Sequence, residues 1–215
     1  MGRRAPSTRS RVPPVAYATR RAAVTRNRGQ SADLRVRRTR RLLQRALIEL
    51  TTEKGFAALT VGEIARRALV NRSTFYRHYT DKQALLDDYA EDVYRLTVPQ
   101  EGSAPGKPPA GLINLLEHIR AHAGFYRAML GARGDPAFAR RIQQGIERRL
   151  RSLLPGRAAK PEPGPPPIDF YLSYVSYAGL GAMIWWLEHG QAFSSEQVAG
   201  WLSRLSTVDM RASLS

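Results

Sequence analysis

The side chains best suited to binding a polyanion lie in one short segment of the chain. Six of them carry groups that can bind phosphates or the edges of bases: Arg72, Ser73, Thr74, Tyr76, Arg77 and His78. No acidic residue follows before Asp81, whereas a helix that is merely solvated would usually mix its charge signs. Arginine can donate two parallel hydrogen bonds to guanine in the major groove, and hydroxyl groups suit phosphate oxygens. The segment therefore predicts contact with double-stranded DNA.

Two short helices joined by a tight turn are predicted to present these side chains. Thr60 and Glu63 have the T-x-x-E spacing of a capping box, in which each side chain satisfies a backbone donor at a helix start. The turn follows at residues 69–71, where Asn71 is placed to cap the second helix. Phe75 and Tyr79 are four positions apart and can both face the core. The polar side chains between them are then directed outward, as in a DNA-reading helix-turn-helix.

The helix before the motif is predicted to complete a three-helix domain, within a DNA-binding region of residues 35–98. The helix before the motif, beginning near Thr39, has an apolar face formed by Leu43, Ala46, Leu47 and Leu50. Gly55 ends this helix at a position that suits a left-handed cap. Asp81 is expected to cap a further helix after the motif. These patterns predict an all-α protein.

The run from Arg38 to Leu86 resembles the DNA-binding domain of the tetracycline-repressor (TetR) family of transcription factors. The matching residues are Gly55-Phe56, Leu59-Thr60-Val61, Glu63-Ile64-Ala65, Val70 to Tyr79 and Asp81 to Leu86. One position departs from the family pattern, because Leu69 stands in the turn where the family usually has glycine. If this position needs a positive φ angle, leucine costs about 1 kcal/mol or more.

The resemblance, together with the expected exposure of the second helix, assigns roles to individual side chains. Arg72, Ser73 and Arg77 are expected to read bases. Phosphate contacts are expected from Thr60, Thr74, Tyr76, His78 and Lys82. The DNA site implied for such a protein is a palindromic operator.

The net charge of +16 is concentrated near the N-terminus. Residues 1–41 hold thirteen arginines and a single acid, Asp33, for a net charge of +12. Because residues 1–34 have few apolar side chains and include prolines, we expect a disordered basic arm. The arm could lie along phosphates or in the minor groove, or it could be a flexible tail without a role. An organelle transit peptide is a third interpretation, which the bacterial character of the resembling family disfavours.

A second helical domain is predicted over residues 110–210, after a Gly/Pro-rich linker at residues 99–109. Within it, residues 170–187 contain no charged side chain. A membrane span is the competing interpretation, but five hydroxyl-bearing side chains in the first half of this stretch argue against it. We expect instead a helix buried against protein. The chain from Ser194 onward supplies another long helix, opened by an S-x-x-Q capping box.

The resemblance implies both a partner and a ligand for this second domain. In the family, the last two long helices pair with those of a second subunit, which implies a homodimer built on residues 168–189 and 194–207. The same domain usually holds a pocket for a small-molecule effector. Candidate pocket residues are Tyr89, Tyr94, Phe125, Tyr126, Met129, Tyr171, Tyr174 and Trp185. Ordinary core packing is the competing interpretation for each of them.

Neither a metal nor another cofactor is expected. His118 and His122 are four positions apart and could share a metal from one helical face, but no third ligand is evident. Enzyme motifs such as G-x-S-x-G, H-E-x-x-H and the phosphate-binding loops do not occur. The sequence contains no cysteine and no secretory hydrophobic region, which fits a bacterial cytoplasmic protein.

These observations predict a sequence-specific DNA-binding transcriptional regulator, not an enzyme. We expect a repressor, associated with the nucleoid, that a small-molecule effector releases or modulates. The alternative is a non-specific, nucleoid-type basic DNA-binding protein without an effector, because an arginine-rich arm alone would bind any duplex.

Overall fold

The structure is a computed structural model that describes the backbone of residues 15–97, 107–132, 134–153 and 167–212. The described parts form α-helices and no strand, so the all-α prediction is confirmed. The helices are α1 Val15–Lys54, α2 Val61–Arg67, α3 Arg72–His78, α4 Lys82–Leu96, α5 Ala110–Ala121, α6 Ala123–Leu130, α7 Pro136–Leu153, α8 Ile168–Glu188 and α9 Ser195–Ala212. The chain divides into two compact units, residues 1–41 and residues 42–215.

The unit formed by residues 1–41 corrects one expectation. The first helix was predicted to begin near Thr39 after a disordered arm, but α1 begins at Val15. Residues 1–14 of the predicted arm lie outside the described residues. Alanine and arginine have high helix propensity, and extending a helix costs far less than starting one. The expected helix start was therefore wrong, whereas the disorder expected of residues 1–34 stays a prediction.

In the unit of residues 42–215, the predicted apolar face of α1 is confirmed. Leu43, Ala46, Leu47 and Leu50 are all buried. They share one core with Ile64 of α2 and Phe75 of α3, which are fully buried. Gly55 ends α1 with a φ of 80°, a left-handed conformation that glycine adopts without steric cost. The helix-turn-helix is thereby fixed on a packed support.

Helix starts follow the predicted capping pattern with one exception. The Thr60–Glu63 capping box is complete, and Asp81 accepts a 2.8 Å hydrogen bond from the backbone N–H of Ala84. Ser194 and Gln197 exchange the two bonds of a second box, at 2.9 and 3.2 Å. Asn71 occupies the N-cap position of α3, but its side chain makes no capping hydrogen bond. The predicted side-chain cap at this residue was therefore wrong.

The helices α5 to α9 form the helical region predicted after the linker. A buried hydrogen bond of 2.7 Å from the Gln143 amide to the Ser176 hydroxyl joins α7 to α8. At the far end of α8, the Trp186 indole N–H donates to the Phe193 carbonyl at 3.1 Å. Over the described residues, no helix combines the length and apolarity that a bilayer span requires. Within the uncharged stretch, Leu172, Leu180 and Trp186 are among the buried residues.

Candidate DNA-binding interface and effector cavity

Helix α3 presents a polar surface because its apolar side chains are drawn into the core. Phe75 is fully buried and Tyr79 is 8% exposed, and their rings pack 5.8 Å apart. The side chains predicted to contact DNA fall on the outside of α3: Arg72, Ser73, Tyr76 and Arg77 are exposed, and Thr74 and His78 are half-buried. The expected exposure of this face is confirmed. DNA contact itself stays a prediction.

Both arginines of α3 are held by neighbours on the same helix. The Arg72 guanidinium lies 5.6 Å from the centre of the Tyr76 ring and donates to its hydroxyl at 3.3 Å. Arg77 donates to the Thr74 hydroxyl at 3.0 Å. Among the described residues, neither guanidinium has an acidic partner, so no internal ion pair has to be broken when a phosphate or a guanine binds.

Thr60 and Lys82 lie at the ends of the motif and make structural contacts there. The Thr60 hydroxyl donates to Glu63 at 2.8 Å. Hydrogen bonds from Lys54 and then from Thr60 lower the pKa of Glu63 to about 2. The Lys82 ammonium donates to three carbonyls of the preceding loop, those of Phe56, Ala57 and Leu59, at 2.9, 3.0 and 2.9 Å. These bonds use all three of its N–H donors. Its predicted phosphate contact remains a prediction, one that this geometry does not favour.

The turn between α2 and α3 is the one place where this motif holds a strained residue. Leu69 has a φ of 55°, and its side chain is 93% exposed. Its backbone N–H bonds to the Arg66 carbonyl at 3.1 Å, and the next N–H, of Val70, bonds to the Ala65 carbonyl at 3.0 Å. Leu69 therefore has the positive φ angle that was anticipated for this turn position, where the family usually has glycine. Leucine pays the conformational penalty without gaining burial.

We call the exposed face of α3, with Thr60 and Lys82 at the ends of the motif, the reading surface, and α5 to α9 the second helical region. Helix α4 connects the two, a role that the sequence reasoning missed. Asp88 accepts a 2.6 Å hydrogen bond from the Tyr79 hydroxyl at the end of α3. Asp92 accepts a 2.8 Å bond from the Gln44 amide of α1. Asp87 instead forms a 2.6 Å ion pair with Arg141 of α7. The adjacent residues Asp87 and Asp88 could have indicated this role, because side chains at neighbouring positions of a helix face different directions and contact different partners.

A cavity of about 430 Å³ lies between α4, α5 and α7. Its lining is mainly aliphatic, with polar and charged side chains that include Asp87, Glu91, Tyr94, Arg141, Arg148 and Arg149. Of the eight predicted pocket residues, only Tyr94 lines this cavity. Sequence reasoning did not identify the arginines of α7 as part of a pocket. The lining of α7 extends from Arg141 to Leu150 and mixes arginines with aliphatic residues, so apolar periodicity alone did not identify it.

The other predicted pocket residues lie elsewhere. Tyr89, Phe125, Tyr126 and Met129 belong to the main core. Tyr171 is buried in a smaller cluster and donates to the Ser206 carbonyl at 2.8 Å. Tyr174 and Trp185 are 56% and 45% exposed on α8. For the buried residues the competing interpretation, ordinary packing, describes what the structure shows.

The two histidines singled out by their spacing pack against each other at the end of α5. The rings of His118 and His122 lie 4.6 Å apart, and the His118 Nε2 is 2.8 Å from the Tyr89 hydroxyl. Burial, and secondarily the neighbouring His122, lowers the pKa of His118 to about 4. Within the described ranges, no group of three or more potential ligands is arranged to hold a metal ion.

Two protein-family models match this chain. Residues 43–89 match "Bacterial regulatory proteins, tetR family", and residues 107–207 match "Transcriptional regulator C-terminal region". Two curated relatives from Bacillus subtilis (strain 168) are described as uncharacterized HTH-type transcriptional regulators. YxbF is 40% identical over 62 residues, which are 28% of this chain and 16% of the relative. YdeS is 32% identical over 97 residues, which are 44% and 49% of the two chains. This chain thus spans half or less of the length of these relatives.

Solved structures share the fold over most of the chain. The dihydroxyacetone kinase operon activator DhaS aligns with a TM-score of 0.59 at 17% identity, over 81% of this chain and 97% of its own. A TetR transcriptional regulator from Streptococcus agalactiae 2603V aligns with a TM-score of 0.58 at 24% identity, over 83% and 98%. At these identities the likeness establishes the fold alone.

Proposed function

The chain belongs to the TetR family of transcriptional regulators, and on this premise we propose that it is a sequence-specific repressor acting as a homodimer on a palindromic operator. A small-molecule effector releases or modulates it, and its place is the cytoplasm, on the nucleoid. The exposed face of α3, which has no acidic side chain, carries the proposal. Family members regulate transcription, so no enzymatic activity is proposed.

The proposed DNA contacts divide between the two kinds of side chain on that face. Arg72, Ser73 and Arg77 read base edges, because a guanidinium can bond bidentately to the O6 and N7 atoms of guanine. Thr60, Thr74, Tyr76, His78 and Lys82 are proposed to contact phosphates, which position the protein without reading sequence. The ring of Tyr76 also supports the Arg72 guanidinium, so this pair is pre-organised before DNA binds. Lys82 is the weakest member of the phosphate set, since its donors already bond the loop.

The proposed dimer rests on apolar side chains that α8 and α9 leave exposed. On α8 they are Phe170, Tyr174, Tyr177 and Trp185, at intervals of four, three and eight positions, which place them on one face of the helix. On α9, Leu205 is 68% exposed. Water-soluble monomers rarely expose a large contiguous apolar patch. A second copy of the chain, packed through residues 168–189 and 194–207, would cover this surface and place the two reading helices on adjacent half-sites.

The proposed effector site is the cavity between α4, α5 and α7. One side of α4 bonds to Tyr79 at the end of α3 through Asp88 and to Gln44 of α1 through Asp92, while Asp87 and Tyr94 line the cavity. A molecule that fits the cavity in only one position of α4 would shift the population between DNA-binding states. The eight aromatic and Met positions predicted from sequence, apart from Tyr94, have no part in this proposal.

The decisive experiment measures sequence preference. Duplexes bound by the full-length protein are selected from a random pool. Affinity for the selected duplex is then compared with affinity for a scrambled duplex of the same composition, at a fixed salt concentration. We expect a palindromic consensus and a preference of roughly 10³-fold or more. Equal affinity for both duplexes would overturn the proposal in favour of the non-specific, nucleoid-type protein, for which the +12 charge of residues 1–41 is the supporting observation.

A further inference from the structure

The cavity between α4, α5 and α7 has an apolar floor of the size that small ligands require. Six aliphatic side chains dominate it: Val93, Leu112, Leu115, Ile142, Ile146 and Leu150. The volume of about 430 Å³ lies within the range of roughly 300–1,000 Å³ found for small-molecule sites. Such a floor favours an apolar body, since burying apolar surface is the main source of affinity there. The floor alone does not define the rest of the ligand.

The charges on the cavity wall do not cancel. Asp87 and Arg141 neutralise each other in their 2.6 Å ion pair. The remaining charged side chains of the lining are Glu91, Arg148 and Arg149. This leaves one excess positive charge; Glu91 and Arg148 are both exposed to solvent, whereas Arg149 is half-buried. The wall is therefore biased toward an anion.

Arg148 is the side chain best arranged to receive that anion. Its guanidinium lies 5.3 Å from the centre of the Tyr94 ring, and no acidic partner for it occurs among the described residues. A guanidinium stacked on an aromatic face keeps its in-plane N–H donors available for a carboxylate. Arg149 donates to the Ser152 hydroxyl at 3.1 Å and likewise has no acidic partner within those residues. Both arginines can thus serve one anionic group at the rim.

Gly145 keeps the space beside Tyr94 open. It lies inside α7, where glycine is less favourable than alanine. A Cβ atom at this position would lie 3.8 Å from the Tyr94 Cδ2, an ordinary van der Waals contact. Alanine therefore fits without displacement, whereas a longer side chain would extend into the cavity. The chain has a glycine at the helix position where a larger residue would fill the site.

We infer that the cavity binds an amphipathic monoanion, with its apolar chain or ring system on the aliphatic floor and its carboxylate or equivalent group on Arg148, assisted by Arg149. This inference rests on the proposed effector role and names the chemical class of the effector. Neutral and cationic molecules with the same apolar body bind more weakly.

The test uses the full-length protein and three probes that share a ten-carbon chain: decanoate, decanol and decyltrimethylammonium. Calorimetry or displacement of the fluorescent anion 1-anilinonaphthalene-8-sulfonate reports binding. We expect decanoate to bind most tightly of the three. Arg148→Ala should weaken decanoate binding roughly 10- to 100-fold, the size expected for a lost charge-assisted hydrogen bond, and leave decanol binding unchanged. Arg140→Ala, which removes an exposed arginine of the same helix outside the lining, should change neither.

A second pair of variants tests the location independently of charge. Gly145→Leu should abolish binding of all three probes, while Gly145→Ala should retain it, and thermal melts verify that both variants fold. The inference is overturned if the wild type binds neither decanoate nor the naphthalene sulfonate, if the cationic probe binds best, or if Gly145→Leu binds as the wild type does. Operator affinity is measured separately, in the absence of any probe, to test the proposed function by itself. Lost anion binding with intact operator binding refutes this inference alone, and the converse refutes the proposed function.

Discussion

The reading surface on α2 and α3 and the cavity between α4, α5 and α7 are built in opposite ways. Every side chain proposed to contact DNA lies within residues 60–82, on or directly beside one helix-turn-helix. The cavity draws its lining from Asp87 through Leu150, on three helices. A polar face can be specified by one short helix and the two residues that bury its other side. A concave site requires that separate helices meet, so its composition depends on how they pack.

Disrupting the proposed dimer is expected to have the largest effect. It tests whether the reading surface of a single subunit is sufficient for operator binding. Gly181 lies on the exposed face of α8, and a Cβ added there meets no atom within 4 Å. Gly181→Arg should therefore fold but place a charge in the proposed interface. Loss of the second half-site contact should reduce operator affinity about 10²- to 10⁴-fold. Analytical ultracentrifugation and fluorescence anisotropy measure the two effects.

Asn114→Arg adds the same charge to an exposed position of α5 and should remain dimeric with full operator affinity. If the wild type itself sediments as a monomer at micromolar concentration and still binds its operator, the dimer proposal is wrong. In that case the reading surface would bind DNA without any contribution from the second helical region.

The arginines of α3 test whether specificity is local. Arg72→Ala and Arg77→Ala should each cost about 1–3 kcal/mol of operator binding and relax the preference at one base pair. Affinity for scrambled DNA should fall much less, because base readout is absent there. Competition binding with single-base operator variants gives the measurement. Arg140→Ala on α7 controls for net charge, and unchanged sequence preference in both α3 variants would refute this placement of the recognition helix.

His118 of α5 predicts a pH dependence of stability outside the helix-turn-helix. Burial lowers the pKa of His118 to about 4 in the folded state, below its ordinary value of 6.5. The unfolded chain therefore binds more protons, and the free energy of unfolding should fall as the pH drops from about 6.5 to about 4. The slope contributed by this group is at most about 1.4 kcal/mol per pH unit, reduced by its partial exposure.

Denaturant unfolding at several pH values checks this expectation. His118→Gln should flatten the profile between pH 6.5 and 4, whereas His189→Gln, which changes an exposed imidazole, should leave it as in the wild type. A wild-type unfolding free energy that is constant over this range would contradict the assignment.

The smallest expected effect lies within the reading surface. Leu69→Gly should raise the free energy of unfolding by roughly 0.5–1 kcal/mol, since glycine tolerates the φ of 55° and the exposed leucine contributes little packing. Leu69→Ala is the matched control, because alanine retains the Cβ atom that causes the strain and should gain nothing comparable. If both variants are stabilised equally, backbone strain is not the cause.

Local features of the helix-turn-helix could be predicted because they depend on neighbours in sequence. The Thr60–Glu63 box and the left-handed Gly55 involve residues at most four positions apart. Phe75 and Tyr79 were assigned to the core from their spacing alone, and both are buried. The start of α1 was missed because the low apolar content of residues 15–34 was taken to exclude a helix there.

The sequence by itself determined the helical class, the helix-turn-helix and the polar face of its second helix, since hydrogen-bond caps and apolar periodicity act over single turns. Tertiary structure alone decided which side chains close the cavity. Tyr126 and Tyr94 are both aromatic residues on helices, yet one is buried in the core and the other lines the cavity. Tertiary structure also turned Asp87 toward α7 and Asp88 toward α3. These outcomes depend on contacts between helices distant in the chain, and the periodicity of a single helix carries no information about which neighbour it meets.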